Sequence, residues 1–200
     1  MTKTRSKKAR FEQLMAEIHI AHIQFQTVWR EAKAPVVGDA KFGSPEYYAA
    51  NHHAYQVAAP ESERVKSLLK ELFWDELGEI DKAFLAGDTQ AITNIIEFLE
   101  VDIPAFRCGY AKEWYLRKLK NLPLSKPQCA RLEKLALDMC GAPVFRREFR
   151  EMTRLMIKLA EEDLIEELRK LAESKSERIK LKSRRMLERI LGNRIDLRAK

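Results

Sequence analysis

Three times in its second half the chain sets a large apolar residue directly before a basic one, next to a helical pattern: Phe106-Arg107, Phe145-Arg146 and Ile179-Lys180. The anchors lie roughly 39 and then 34 residues apart, a spacing proper to repeats built from two helices. One helix pair cannot hide its own apolar surface, so successive pairs must cover one another. That requirement limits the fold more than any other feature of the sequence.

The composition agrees with an all-helical chain. Seven glycines and seven prolines in 200 residues leave little turn chemistry for many short strands, and no stretch alternates with period two for long. With 46% apolar and 34% charged residues, the chain can bury a core and keep a solvated exterior. No run of 18 apolar residues occurs, and the basic start is followed by FEQLMAEIHIAHIQF, which is broken by charge. A membrane span and a signal peptide are therefore not expected, and a cytoplasmic location is. Cys108, Cys129 and Cys140 have no close-paired spacing and suit reduced thiols in a core.

Periodicity and turn residues divide the chain further. Residues 1–8 read as a flexible basic arm. Phe11, Leu14, Met15, Ile18, Phe25, Val28 and Trp29 mark an amphipathic helix from about Ala9 to Ala32, ending near Pro35. Ser44 and Pro45 open a helix to Val57; a third starts at Pro60 and closes at Gly87. Residues 9–87 thus form an N-terminal cap or divergent repeats. Asp88 caps a helix over 89–100, followed by helices over 104–120, 126–140, 144–159, 162–173 and 176–191. Short connections make antiparallel pairs of these six, over 88–192, with a basic tail at 193–200.

The last pair, EDLIEELRKLAESKSERIKLKSRRMLERIL, resembles a HEAT repeat: Ile179, Lys180, Ser183, Leu187 and Ile190 stand where that family has aliphatic, basic, small and aliphatic residues. The helices after Phe106 and Phe145 match less well, with Tyr110 and Phe149 at the small position. The turn has Ser174 and Ser176 instead of the family's aspartate, and Pro104 and Pro143 stand off its usual proline position. The resemblance, over residues 88–192, implies an α-solenoid that binds proteins or, less often, nucleic acids. A few HEAT-like relatives are DNA glycosylases.

Charge placement supplies the candidate surface. Residues 1–100 hold 12 basic and 15 acidic side chains, whereas residues 101–200 hold 25 and 15. Arg147, Arg150, Arg154 and Lys158 fall on one helix face, as do Arg178, Lys182, Arg185 and Arg189. Two cationic stripes across a concave face suit phosphates or an acidic protein segment. Glu148, Glu151 and Glu188 are expected to balance them on a solvated face. Arg107, Tyr110, Trp114 and Lys118 share another face; Tyr110 is a candidate contact, and Trp114 is expected in the core.

Other chemistry has weaker support. His19 and His22 are one turn apart but lack further ligands, so neither a metal nor any other cofactor is expected. Trp74-Asp75, in an acidic stretch with Glu76, Glu79 and Asp81, is the sole candidate for glycosylase chemistry. Phe11, Ile18, Phe25 and Trp29 could lie on a membrane, but Glu12, Glu17 and Glu31 favour a capping role. The leading expectation is a non-enzymatic solenoid with a protein partner, then a nucleic-acid-binding module, and last a glycosylase.

Overall fold

The computed structural model describes residues 6–37, 41–103, 105 and 107–198, and no side chains for 35–37 or 194–198. Among the described residues every regular element is helical. They form α1 (Lys8–Val37), α2 (Pro45–Val57), α3 (Ala59–Lys70), a π-helical segment (Glu71–Glu76) and α4 (Leu77–Leu85). There follow α5 (Thr89–Glu100), α6 (Cys108–Leu119), α7 (Lys126–Gly141), α8 (Phe149–Leu159), α9 (Glu162–Ala172) and α10 (Glu177–Arg198). No helix among the described residues is long and apolar enough to cross a membrane. Two compact units result, one from residues 1–81 with 101–106, the other from 82–100 with 107–200.

In the first unit, Phe11, Leu14, Met15, Ile18 and Ala21 make a fully buried stripe on α1. Ala50, Ala54 and Ala58, also fully buried, come from α2 and its C-cap. Their small side chains, one helical turn apart, let the α2 backbone approach α1 closely. Ser44 caps α2 by accepting from the Tyr47 amide at 3.2 Å, with Pro45 in the first turn. Lys7 and Arg10 meet the acidic stretch: Lys7 lies 3.1 Å from Glu76, and Arg10 pairs with Glu71 and Glu76.

In the second unit the apolar periodicity becomes a shared core. Ile92, Ile95, Ile96 and Leu99 of α5 are buried, as are Leu116 and Leu119 of α6, Leu132 and Ala136 of α7, and Met152, Leu155 and Met156 of α8. Leu164, Ile165 and Leu168 of α9 and Met186 and Ile190 of α10 continue it. The helices α5 and α6, α7 and α8, and α9 and α10 pack as pairs. In addition α5 packs on α7 and α7 on α9, while α6 packs on α8 and α8 on α10. Polar bonds fix the first contact: Arg131 donates two hydrogen bonds to Glu100 at 2.7 and 2.8 Å, and Gln128 donates to Thr89 and Thr93.

Several boundaries differ from the expected ones. The first helix continues through Pro35 to Val37, and the last runs to Arg198 instead of stopping at Leu191. The periodic stretch after Lys70 contains a π-helical turn, a feature that periodicity alone does not reveal. Pro104 and Phe106 lie outside the described residues; α6 starts at Cys108, after Arg107 with φ of +63°. Phe145-Arg146 does not begin a helix. Ala142, before Pro143, is extended (ψ 145°), as a residue before proline favours. The Val144 carbonyl faces the Lys182 ammonium at 3.5 Å, and helix resumes only at Phe149. Ile179-Lys180, by contrast, is inside the first turn of α10. The two anchors that can be placed therefore occupy different structural positions.

Candidate functional site

The cationic residues gather along α6, α8 and α10. On α8 and in the turn before it, Arg147, Arg150 and Arg154 keep 53%, 68% and 50% of their side-chain surface exposed. Lys158 is exposed as well and donates to the Lys120 carbonyl at 2.9 Å. One stripe expected from helical spacing is thus on the outside of the fold.

Two buried carboxylates organise it. Glu151 has no exposed surface, yet Arg154 donates to it at 2.5 Å, and Arg117, Arg150 and Lys120 stand 3.5, 3.5 and 3.6 Å away. Among the described residues its Oε2 accepts no hydrogen bond, and the Lys120 ammonium faces it at 3.6 Å. Glu113, one helix over, accepts from Arg117 and, at 2.9 Å, from Arg147. Burial pushes the Glu113 carboxyl up, but the hydrogen bonds from Arg147 and Arg117 outweigh it and hold it below the ordinary 4.5. An unpaired buried carboxylate would be costly. Here two of them draw cations from α6 and α8 together, and each guanidinium retains donors for something else. The expectation of Glu151 as a solvated neighbour is corrected: it is interior, and so is Glu148.

Two clefts flank α8. The first, about 500 Å³, lies between α6 and α8, with Trp114, Lys118 and Lys120 on one side and Arg154 and Lys158 on the other. The second, about 770 Å³, lies between α8 and α10. It is lined by six arginines (Arg146, Arg147, Arg150, Arg154, Arg185 and Arg189), by Glu188, and by the apolar side chains of Phe145, Phe149 and Ile157. Arg154 borders both.

The α10 stripe does not hold together as expected. Arg178, Arg185 and Arg189 are exposed, but Lys182 is fully buried and is not a surface contact. Its ammonium donates to Met139 O at 2.7 Å and also to Ala142 O, where α7 ends. A cation at a helix C-terminus meets carbonyls that lack intrahelical partners. Burial pushes the Lys182 ammonium below its ordinary value. Arg178 is not among the residues lining either cleft.

Aromatic side chains complete the α6 face. Tyr110 is 60% exposed, and the Arg147 guanidinium lies 3.8 Å from its ring centroid. Trp114, expected in the core, is 36% exposed; it touches Tyr115 edge-on at 4.8 Å, and Lys118 stands 5.5 Å from its ring. As surface contacts, Arg117, Lys120 and Arg146 do not follow from the sequence stripes. Arg117 did have a signal, a carboxylate four residues earlier at Glu113.

Elsewhere the chemistry is sparse. Burial pushes the Cys108 thiol up to about 12 and the Cys140 thiol to about 11, so both are poor nucleophiles. His22 and His52 share hydrogen bonds with Gln26 and Gln56. Among the described residues no group of three His, Cys, Asp or Glu is placed to hold a metal ion. Trp74, 75% exposed, and the exposed Asp75 sit side by side on the π-helical segment. Compared with family models, curated proteins and solved structures, the chain has no match.

Proposed function

We propose that this protein is a non-enzymatic binding module, a HEAT-like α-solenoid in its second unit, that grips the phosphate backbone of a nucleic acid between α6, α8 and α10. The solenoid reading is supported by the order of helix contacts, α5 to α7 to α9 in one row and α6 to α8 to α10 in the other. The single observation that carries the ligand class is the set of six arginines, against one glutamate, that line one cleft, with Arg154 shared by its neighbour. Arginine forks suit phosphate oxygens, and the one-turn repeats Arg150/Arg154 on α8 and Arg185/Arg189 on α10 suit a polymer of phosphates rather than a single anion.

The test is binding of labelled nucleic acid by the full chain over a salt series. Affinity falls steeply as salt rises, and reversing Arg150, Arg154, Arg185 and Arg189 to Glu abolishes it. Retention of nucleic acid by the reversed variant would remove this reading. A protein partner is the second reading, favoured by the apolar lining of Phe145, Phe149 and Ile157, which an acidic segment with large apolar side chains would cover. A peptide of that kind binding tightly while nucleic acid does not would put the protein reading first. Glycosylase chemistry at Trp74-Asp75 draws no support from a pair so open to solvent.

A further inference from the structure

We infer that the nucleic acid is single-stranded, and that Tyr110 and Trp114 are the platforms on which its bases stack. The inference rests on the nucleic-acid reading above and adds the strand state and the base contacts. Tyr110, Trp114 and Lys118 are successive turns of one face of α6. Such positions have Cβ atoms about 5–6 Å apart. Trp114 and Lys118 line the first cleft with Arg154 and Lys158 across from them, and one turn before Trp114 the Tyr110 ring lies beside Arg147. The α6 face thus offers two rings one turn apart with cations beside them, and α8 adds further cations across from Trp114.

Two further observations favour bases over a general apolar contact. Each ring is already paired with a cation, Arg147 over Tyr110 at 3.8 Å and Lys118 by Trp114 at 5.5 Å. An exposed ring beside a cation can stack a base and hold the adjoining phosphate at once. A duplex keeps the faces of its bases covered by their neighbours, so it can use the cations but not the rings. Stacking tolerates every base, so the surface reads no sequence.

The full chain is titrated against a fluorescein-labelled oligodeoxythymidylate of about 15 nucleotides and against a duplex of equal length. The single strand binds more tightly than the duplex, and it quenches Trp114 fluorescence in a protein carrying Trp29→Phe and Trp74→Phe. Tyr110→Ala with Trp114→Leu lowers single-strand affinity roughly tenfold or more and erases the preference. Arg154→Glu weakens binding of both probes. Because Trp114 also touches Tyr115, Tyr110→Ala alone, at a mostly exposed position, decides the matter if the double variant loses helix by circular dichroism. Unchanged single-strand preference in Tyr110→Ala and in the helical double variant, with Arg154→Glu still weakened, overturns the stacking inference and leaves the phosphate reading standing. A wild-type chain that binds neither probe overturns both.

Discussion

Lys182 and Glu113 carry the main lessons at the scale of single residues. Lys182 lies in a helix rich in arginine and lysine, and helical spacing groups it with Arg178, Arg185 and Arg189. Its stem instead runs inward and its ammonium closes the carbonyl end of α7. Lys182→Met keeps most of the volume and leaves those carbonyls without a donor, at a cost of about 1–3 kcal/mol in urea unfolding. A variant as stable as the parent would show that the contact contributes nothing. Glu113 sets a pH dependence. A carboxyl with a lowered folded value contributes stability that is complete above its ordinary 4.5 and is lost as pH falls through the folded value. Urea midpoints measured against pH should therefore fall less steeply in Glu113→Gln than in the parent below about pH 4.5. Identical profiles would sink that expectation. Apart from the Glu113–Arg117 pair four residues apart, these contacts were not legible in the sequence, because they join groups 34 to 43 residues away: Arg147 for Glu113, and Met139 and Ala142 for Lys182.

At the scale of elements, the helix ends are where local chemistry decided most. Gly87 has φ of +80° and donates to Phe84 O, while Asp88 donates to Ala83 O; Asp88 then accepts from the Ala91 amide at 2.7 Å. One dipeptide closes α4 and opens α5. Gly87→Ala meets no neighbouring atom but must adopt the left-handed conformation, so it lowers stability by about 1–2 kcal/mol. Gly141, the last residue of α7, has ordinary helical geometry and open space around its Cβ position. Gly141→Ala should raise stability by about 0.5–1 kcal/mol. Thermal or urea denaturation of the two variants checks the pair of signs; a shift of both in the same direction would contradict it. Such caps were legible because Gly, Ser, Asp and Pro act on the nearest few residues. The start of α8 was not, since Val144 satisfies its carbonyl on Lys182, a side chain from another helix.

At the scale of the whole molecule, charge and core divide in the same place. Residues 101–200 hold 25 basic against 15 acidic side chains, and both cation-lined clefts belong to the second unit. A fragment of residues 82–200 should keep its helicity and retain nucleic-acid affinity within a few-fold of the full chain, as read by circular dichroism and anisotropy. A folded fragment without affinity would place the binding determinants elsewhere. By itself the sequence determined that the chain is helical, where most helices run, and which residues form their apolar faces. These depend on spacing along the chain, where contacts recur every three or four residues. Only the tertiary structure decided that Lys182 points inward, that Trp114 is partly exposed, and that Glu113 and Glu151 collect cations from two helices. Those outcomes turn on which unsatisfied polar groups neighbouring helices bring together, and helical spacing has no information about them.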